Sequence, residues 1–462
     1  MKVSRFTVRT STRRVFRRCL RKWGWQSSMR QNLQRKGAES NINFWFGSAI
    51  HFAMEDFFGY NKFGDPIRAF QAYYAAFKPE DRPDGADEHY YLGMGMLDYF
   101  MQWYPKHNEM MQFQTVWLNE QNQMVPPGTE GARPLIEESF LLELPKKVWV
   151  FKDTGTIVDT KKFPIQTVFA AEVEGAEEDT YYVTYVKPKE GNVWDEPAGD
   201  FQLRDVEQVP VCYHGTLDRV VVDKKGRLWI MDWKTAKSAD TNKLDTDDQI
   251  SAYMWAAEQW FGLPIHGFVY VQLTKEVAKV PRRLGNGTLS VDKKQRTTAA
   301  LLKQELIKDY GSVKQSPNKM IDFYNHLLSQ EDPEGDRFIR WDLVTRSKEQ
   351  KISTFQHILA EVDLMIQPSL HLFPNPTRDC IWDCPFREAC IMMDDGRADE
   401  VAATLDLEFE ERPHTQDGNI EPWRENVPWP EKYGEAVGTM INAGIPDPEV
   451  TLNLILPDEY KE

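Results

Sequence analysis

The sequence predicts an α/β protein: a mixed central sheet flanked by helices, with a helical N-terminal region and a β-rich insertion. Three observations lead there. The stretch from Gly215 to Tyr253 opens with two apolar, β-rich runs joined by the turn DKKGR (Asp223 to Arg227), the pattern of a hairpin. Helical periodicity follows over Asp247 to Phe261, and a further apolar strand over Ile265 to Leu273. Upstream, from about Phe44 to Phe113, the chain reads as helical apart from a break that starts at Lys78-Pro79 and ends at Gly85.

In chain order, Thr10 or Ser11 is placed to cap a first helix through Val15, Phe16, Cys19 and Leu20. Leu135 to Leu144 reads as the first core strand. Residues 146–210 read as an inserted β subdomain or arm, because their short β-like runs are broken by Gly, Pro and acidic turns. Residues 277–295 form a basic, Gly-containing loop, and helices are expected near 296–310 and 348–366. From about residue 397 the chain becomes acidic, rich in Pro and Trp, and weakly periodic. This divides the chain into a basic helical region (1–112), a core (113–395) interrupted by the insertion, and an acidic extension (396–462).

A chain of 462 residues at 41% hydrophobic buries a large core and is not disordered overall. No apolar run approaches the ~20 residues of a membrane span, and the Arg-rich start lacks the apolar core of a secretory signal. A cytoplasmic location and no membrane partner are therefore expected. The net charge of −15 speaks mildly against nucleic acid, but the charge is unevenly placed. Residues 1–36 hold twelve Lys or Arg and no acid, while residues 394–462 hold eighteen Asp or Glu against five Lys or Arg. The basic start is either a local surface for a phosphate backbone or a solvated helix face. Trp23 and Trp25, set among those cations, suit base stacking and core packing equally.

The hairpin carries the chemistry. Asp218 interrupts its first apolar strand, and Asp232 follows Ile230-Met231 in its second. A carboxylate in a buried strand is costly unless paired or metal-bound. Trp233 alternates to the other face, so Asp232 and Lys234 point the same way. Two carboxylates on neighbouring strands beside one lysine can hold a divalent metal and handle an attacking water, which is equipment for metal-assisted phosphodiester hydrolysis. A plain Asp232–Lys234 ion pair is the simpler reading and is compatible with that role. The following helix puts Gln249 and Tyr253 on one face, and Gly47 to Phe58 does the same for His51 and Glu55. A lone histidine on an apolar helix is ordinarily a satisfied core residue, and a tyrosine there ordinarily packs. Of the five cysteines, Cys380, Cys384 and Cys390 fall in one C-x3-C-x5-C loop, where clustered thiols suggest metal. Cys212, in a β-run, reads as a packing residue.

These motifs, in this order, resemble the RecB-type nucleases of the PD-(D/E)XK superfamily: G-x-x-D-R at Gly215 to Arg219, D-x-K-T at Asp232 to Thr235, Q-x-x-x-Y at Gln249 to Tyr253, and the His51 helix upstream. The resemblance runs from about residue 10 to about residue 395, with long stretches between motifs that carry none. It implies a restriction-endonuclease-like core. It further implies that Asp218, Asp232 and His51 ligate Mg2+ or Mn2+, with the Trp233 carbonyl as an added ligand. Lys234 would orient or help deprotonate the attacking water and stabilise transition-state charge. Glu55 would orient that water, and Gln249 and Tyr253 would contact the DNA backbone or position Lys234. Glu137, in the first core strand, reads equally as a site residue and as an outward one, and is left unassigned.

The chain also looks like the iron–sulfur members of this group, the exonucleases associated with CRISPR loci and the nuclease domain of bacterial recombination complexes, and like phage-encoded relatives. Cys19 occupies the place of their lone first cysteine. The resemblance implies one [4Fe–4S] cluster on Cys19, Cys380, Cys384 and Cys390, shielded by Trp382 and Phe386. The sequence departs from the commoner spacing: three residues, not two, separate Cys380 from Cys384. That leaves a structural zinc set open.

The function expected is a metal-dependent DNA exonuclease acting on single-stranded DNA or duplex ends in recombination, repair or phage replication. No P-loop occurs, so unwinding would fall to a helicase or another recombination or replication protein. Two alternatives stand beside it: an endonuclease of the same fold, and a catalytically silent DNA-binding assembly factor. The intact Asp218, Asp232 and Lys234 argue against the last.

Overall fold

The expected hairpin closes on a side chain. The Asp223 Oδ1 accepts hydrogen bonds from the backbone N–H groups of Lys225 (2.9 Å) and Arg227 (3.0 Å). Gly226 supplies the positive φ, +73°, that this turn requires. The computed structural model describes residues 3–36, 41–160, 165–167, 181–185, 202–238, 241–331, 335–381 and 383–412. The first elements are β1 (Phe6–Val8), α1 (Thr10–Arg18), α2 (Leu20–Gln26), β2 (Leu33–Arg35), α3 (Ile42–Phe58), α4 (Pro66–Ala76) and α5 (Ala86–Met111). Short strands β3 (Gln114–Thr115), β4 (Trp117–Leu118), β5 (Met124–Val125) and β6 (Arg133–Pro134) lead into the long β7 (Ile136–Phe151). Then come β8 (Ile165–Thr167), β9 (Tyr181–Tyr185), β10 (Gln202–Val222), β11 (Leu228–Ala236), α6 (Asp248–Phe261) and β12 (Ile265–Thr274). The chain continues through α7 (Ala299–Tyr310), α8 (Asn318–Leu328), β13 (Ile339–Val344), α9 (Lys348–Met365), α10 (Arg387–Asp394), α11 (Ala398–Glu408) and β14 (Phe409–Glu411).

The sheet is mixed, as expected. Its path runs β13-β12-β11-β10-β9-β8, with β1, β3 and β7 also paired to β10. The β10–β11 pair is antiparallel, β11–β12 is parallel with α6 as the crossover, and β12–β13 is antiparallel. Alternation sends Trp229, Met231 and Trp233 to one face, where α3, α4 and α5 cover them. Leu228, Ile230 and Val220 go to the other face, under α6, α9 and the first helices. Helices thus cover both faces, which lets the strands be nearly uniformly apolar.

β10 is the spine of the sheet. Residues 206–217 pair with β7, while β1 pairs with residues 211–213 and β11 with residues 219–222. Among the described strands, residues 214–217 therefore have a partner on the β7 side only, and Asp218 has none on either side. The sheet opens there.

Several expectations change. The first core strand runs to Phe151, well past Leu144, because β10 continues alongside it into the expected insertion. Most of that insertion lies outside the described residues, as do Trp382 and residues 413–462 of the acidic extension. The part of the extension that is described is ordered: α11 leads into β14, which pairs with β2. α8 and β13 were not expected, since α8 is amphipathic only over a short span and β13 has a charged central Asp342. Thr10 does not cap the first helix. It opens the helix as its first residue, and its hydroxyl meets the Tyr213 hydroxyl at 2.8 Å. Trp23 and Trp25 are buried and belong to the core. Cys212 is buried, as expected.

The cationic helix is not a bare phosphate-facing surface. Arg13 pairs with Glu361 at 2.7 Å and with Asp248 at 3.3 Å, Arg17 pairs with Asp248 and with Glu361, and Arg14 pairs with Asp247. Among the described residues no helix is long and apolar enough to cross a membrane.

His214, on β10, is 4% exposed, and burial followed by the nearby charges of Arg9 and Arg5 pushes its pKa down to about 4 from an ordinary 6.5. The native state keeps it neutral, whereas the unfolded chain takes up a proton below pH 6.5. Its contribution to stability is therefore complete above pH 6.5 and is lost as pH falls toward 4. A shift of this size is worth on the order of 3 kcal/mol. His214→Gln is expected to flatten that part of the pH dependence, measured as urea midpoints between pH 7 and pH 4.5 in chloride buffers.

Candidate active site

The sheet opening is where the chemistry-bearing residues gather. Asp218 sits between the last β7-paired residue, Leu217, and the first β11-paired residue, Arg219. Its carboxylate substitutes for a missing ladder partner: Asp218 Oδ2 accepts from the Trp233 N–H at 2.8 Å. The Trp233 carbonyl, on the other side of the same residue, faces His51 Nε2 at 3.1 Å. The Trp233 ring anchors this backbone from the α3 face, stacked on Phe58 at 5.3 Å and 9°.

His51 comes from the middle of α3. Its Nδ1 lies 3.1 Å from Glu137 Oε1 and 3.5 Å from Asp218 Oδ2. Burial alone would depress its pKa, but Asp218 and then Glu137 override that and raise it to about 9. The imidazole is thus cationic in the metal-free protein, with both ring nitrogens donating, and a metal must displace that proton to bind there. Asp218 is pushed up, first by burial and then by the neighbouring Asp232 charge, with His51 opposing. Lys234 Nζ is 2.7 Å from Asp232 Oδ2, so these two do point the same way, and their pairing holds the lysine firmly charged despite burial.

His51, Glu137 and Asp218 offer ligand atoms that all lie within 4.8 Å of one another. Asp232 adds a further carboxylate close enough to raise Asp218, and the Trp233 carbonyl adds a neutral oxygen. Without metal, the His51 imidazolium and Lys234 offset these carboxylates, and a mixed imidazole–oxygen set suits a divalent ion in place of the imidazolium proton. The residues present therefore fit Mg2+ or Mn2+.

Glu137 is the residue the sequence left unassigned. Its place is marked by strain: it holds φ +50°, a left-handed conformation unfavourable for a non-glycine residue. That strain opens β7 and turns the carboxylate onto His51. Sequence periodicity places residue 137 on a face but cannot show such a twist.

The other expected residues divide. Tyr253 stands beside the site: its phenol feels Asp232, Lys234 and Asp218, and burial first, then Tyr213 and the two aspartates, raise its pKa. Gln249 does not join it. Its Oε1 accepts from Arg14 Nη2 at 3.1 Å, so it ties α6 to α1. Glu55 acts electrostatically on Tyr60 and Lys62, outside the set of three ligand residues.

The four cysteines gather at the other end of the first helices. Cys19 forms the junction of α1 and α2, and the neighbouring cations bind the C-terminal loop: Arg18 meets Asp383 at 2.7 Å, and Arg21 meets Asp394 at 2.7 Å and Cys390 Sγ at 3.2 Å. The thiols are within electrostatic reach of one another. Burial raises Cys384 and Cys390, and Cys19 adds to both, with Cys380 acting on Cys384. Phe386 is buried against Trp25 and Phe409.

Residues 170–391 match the family model of the PD-(D/E)XK nuclease superfamily. No curated protein matches the chain. The match contains Asp218, Asp232, Lys234 and Tyr253 with their strand–helix frame, and the mixed sheet with helices on both faces is that of a PD-(D/E)XK fold. His51, Glu137 and Cys19 lie outside the matched residues, yet the fold brings the first two onto Asp218 and the third onto the matched cysteine loop. The superfamily points to metal-dependent nuclease chemistry at this opening.

Glu137→Gln is expected to weaken Mn2+ binding about tenfold or more, read by calorimetry. Unchanged affinity would remove Glu137 from the ligand set.

Proposed function

We propose that this protein is a metal-dependent deoxyribonuclease that hydrolyses phosphodiester bonds at DNA ends. The observation that carries the reading is the convergence on one peptide, that of Trp233, of Asp218, His51 and, through β11, Asp232 and Lys234. Mg2+ or Mn2+ held by Asp218, Asp232 and His51, with Glu137 and the Trp233 carbonyl in support, would supply electrophilic stabilisation of the phosphate and a more acidic water. Lys234 remains cationic and stands where it can hold the attacking water and meet charge developing on the phosphoryl oxygens. Asp232 fixes the direction of the lysine. Tyr253, kept protonated, is a hydrogen-bond donor at the edge of the site and suits a phosphate oxygen. The resemblance of the motif order to stand-alone exonucleases favours DNA ends over internal sites, with a helicase or other recombination or replication protein supplying the single strand.

Asp232→Ala is expected to lower cleavage of end-labelled DNA at least ~10²-fold in a folded protein. Lys234→Ala should keep metal and DNA binding and lose turnover, since the lysine acts mainly in the transition state. Linear and circular substrates, single- and double-stranded, separate end-directed from internal cleavage: loss of closed circles would replace the exonuclease reading with an endonuclease one.

We further infer that Cys19, Cys380, Cys384 and Cys390 hold a [4Fe–4S] cluster. The support is their mutual approach across more than 350 residues of chain, clamped by Arg18 and Arg21. A four-thiol set drawn from both ends of the described chain is the ligand type that iron–sulfur clusters use. Anaerobically purified protein should show broad visible absorbance, and any one Cys→Ala change should bleach it and lower thermal stability. Colourless protein carrying one equivalent of zinc would keep the site and replace the cofactor.

A further inference from the structure

α3 is open along one stripe. From Trp45 to Met54 each residue is buried except Gly47, Ser48 and His51. The same three- and four-residue spacing continues to Phe44 at one end and to Glu55 at the other, so these residues share one face of the helix. His51 brings the middle of that face to the metal centre. In one direction the stripe ends on the Glu55 carboxylate. In the other it ends on Phe44, which is 78% exposed, more than any other large apolar side chain among the described residues. Its neighbours Trp45 and Phe46 are buried. Seven residues of helix span roughly 10 Å, so the ring lies two turns from His51.

The surface between the ring and His51 is bare. No side chain or other segment lies within 4 Å of where a Cβ on Gly47 would stand. A glycine inside a helix is destabilising relative to alanine, and no neighbour's packing here requires one. Its effect is to leave the helix open to close approach between Phe44 and the metal ligand. A cation stands at the same end. Lys275 directly follows β12, and its N–H donates to the Ala236 carbonyl at 2.7 Å. Its Nζ donates at 2.8 Å to Oδ1 of Asn43, the residue before Phe44. Burial, followed by the Lys237 ammonium, lowers the pKa of Lys275. Two lysines therefore meet at the carboxyl ends of the parallel β11–β12 pair, the side of an α/β sheet where ligands bind. A protein surface would cover the ring, but the open track from the ring leads to His51, where a phosphodiester must lie.

We propose that Phe44 is a stacking platform for an unpaired base of the DNA strand that enters the metal centre, with the strand lying over Gly47 and Ser48 and Lys275 holding its backbone. This rests on the nuclease reading for the identity of the strand, and it narrows the substrate to single-stranded DNA or unpaired ends. An aromatic ring offers a base its π-face whatever the sequence, and a nearby cation tracks the phosphates. The base on Phe44 lies beyond the phosphate being cleaved.

The test uses the full chain in the Asp232→Ala background without metal, so that the DNA stays intact. A labelled oligothymidylate, beside a blunt duplex of the same length, is followed by fluorescence anisotropy across a salt series. Phe44→Ala should bind the single strand about tenfold more weakly or worse. The slope of log K against log salt should not change, because an apolar ring releases no counterions. Phe44→Trp should bind at least as well as the parent. Lys275→Gln should reduce the slope by about 0.7. Gly47→Leu replaces a poor helix former with a good one. It should keep or raise the thermal midpoint while weakening single-strand binding, which separates a blocked track from a damaged fold. Duplex binding should not respond to Phe44→Ala, since paired bases are not free to stack. No binding of oligothymidylate by the parent, equal affinity in Phe44→Ala, or an equal loss for the duplex overturns the platform. Failure of the nuclease reading looks different: wild type with Mg2+ or Mn2+ leaves DNA uncut, whatever Phe44 does to binding. Cleavage by wild type with a KM for single strands unmoved by Phe44→Ala overturns the platform alone.

Discussion

One constraint organises this molecule: β10 is too long to be paired on both edges throughout. Of its 21 residues, 206–217 are held by β7 along one edge, while β9, β1 and β11 share the other and leave a gap between Tyr213 and Arg219. A sheet edge inside a fold leaves backbone groups unsatisfied. Here a side chain replaces the ladder, because Asp218 takes the Trp233 N–H. The same gap admits His51 from one face and Tyr253 from the other. The site is thus a property of strand pairing, with helices delivering residues to it, and moving any one of the three strands would dismantle it.

The parts of this arrangement differ in how far they could be read in advance. Asp232 and Lys234 were legible because strand alternation fixes their relative direction, and Asp223 with Gly226 made the hairpin legible. For Tyr253, helical spacing gave the face it shares with Gln249, and its place at the site came from the resemblance. Gln249 shares that spacing, yet it is drawn to Arg14, because α1 packs across the start of α6 and a nearby guanidinium outcompetes a more distant site. Glu55, one turn on from His51, acts electrostatically on Tyr60 and Lys62. Glu137 was illegible since its contribution depends on a left-handed backbone at the start of β7. Periodicity reports faces and carries no record of strain.

The first 112 residues show how a terminal segment becomes part of a core. β1 adds to the sheet, α3 and α5 cover one face, and α1 and α2 clamp the cysteine loop. Sequence distance hides all of these contacts. The approach of Cys19 to Cys384 and Cys390 is stabilised by Arg18, Arg21 and Lys22, each with an aspartate on the far segment. Paired charges of this kind, partly exposed, contribute little individually. A shared ligand on the thiols would close a far longer loop than any of them, which is where a cross-link constrains the unfolded chain most.

The same segment separates a count of charge from its placement. Twelve cations without an acid looked like a surface for DNA, but Arg13, Arg14, Arg17, Arg18, Arg21 and Lys22 all meet carboxylates from α6, α9 or the C-terminal loop. Their charge is neutralised where it stands and steers little at physiological salt.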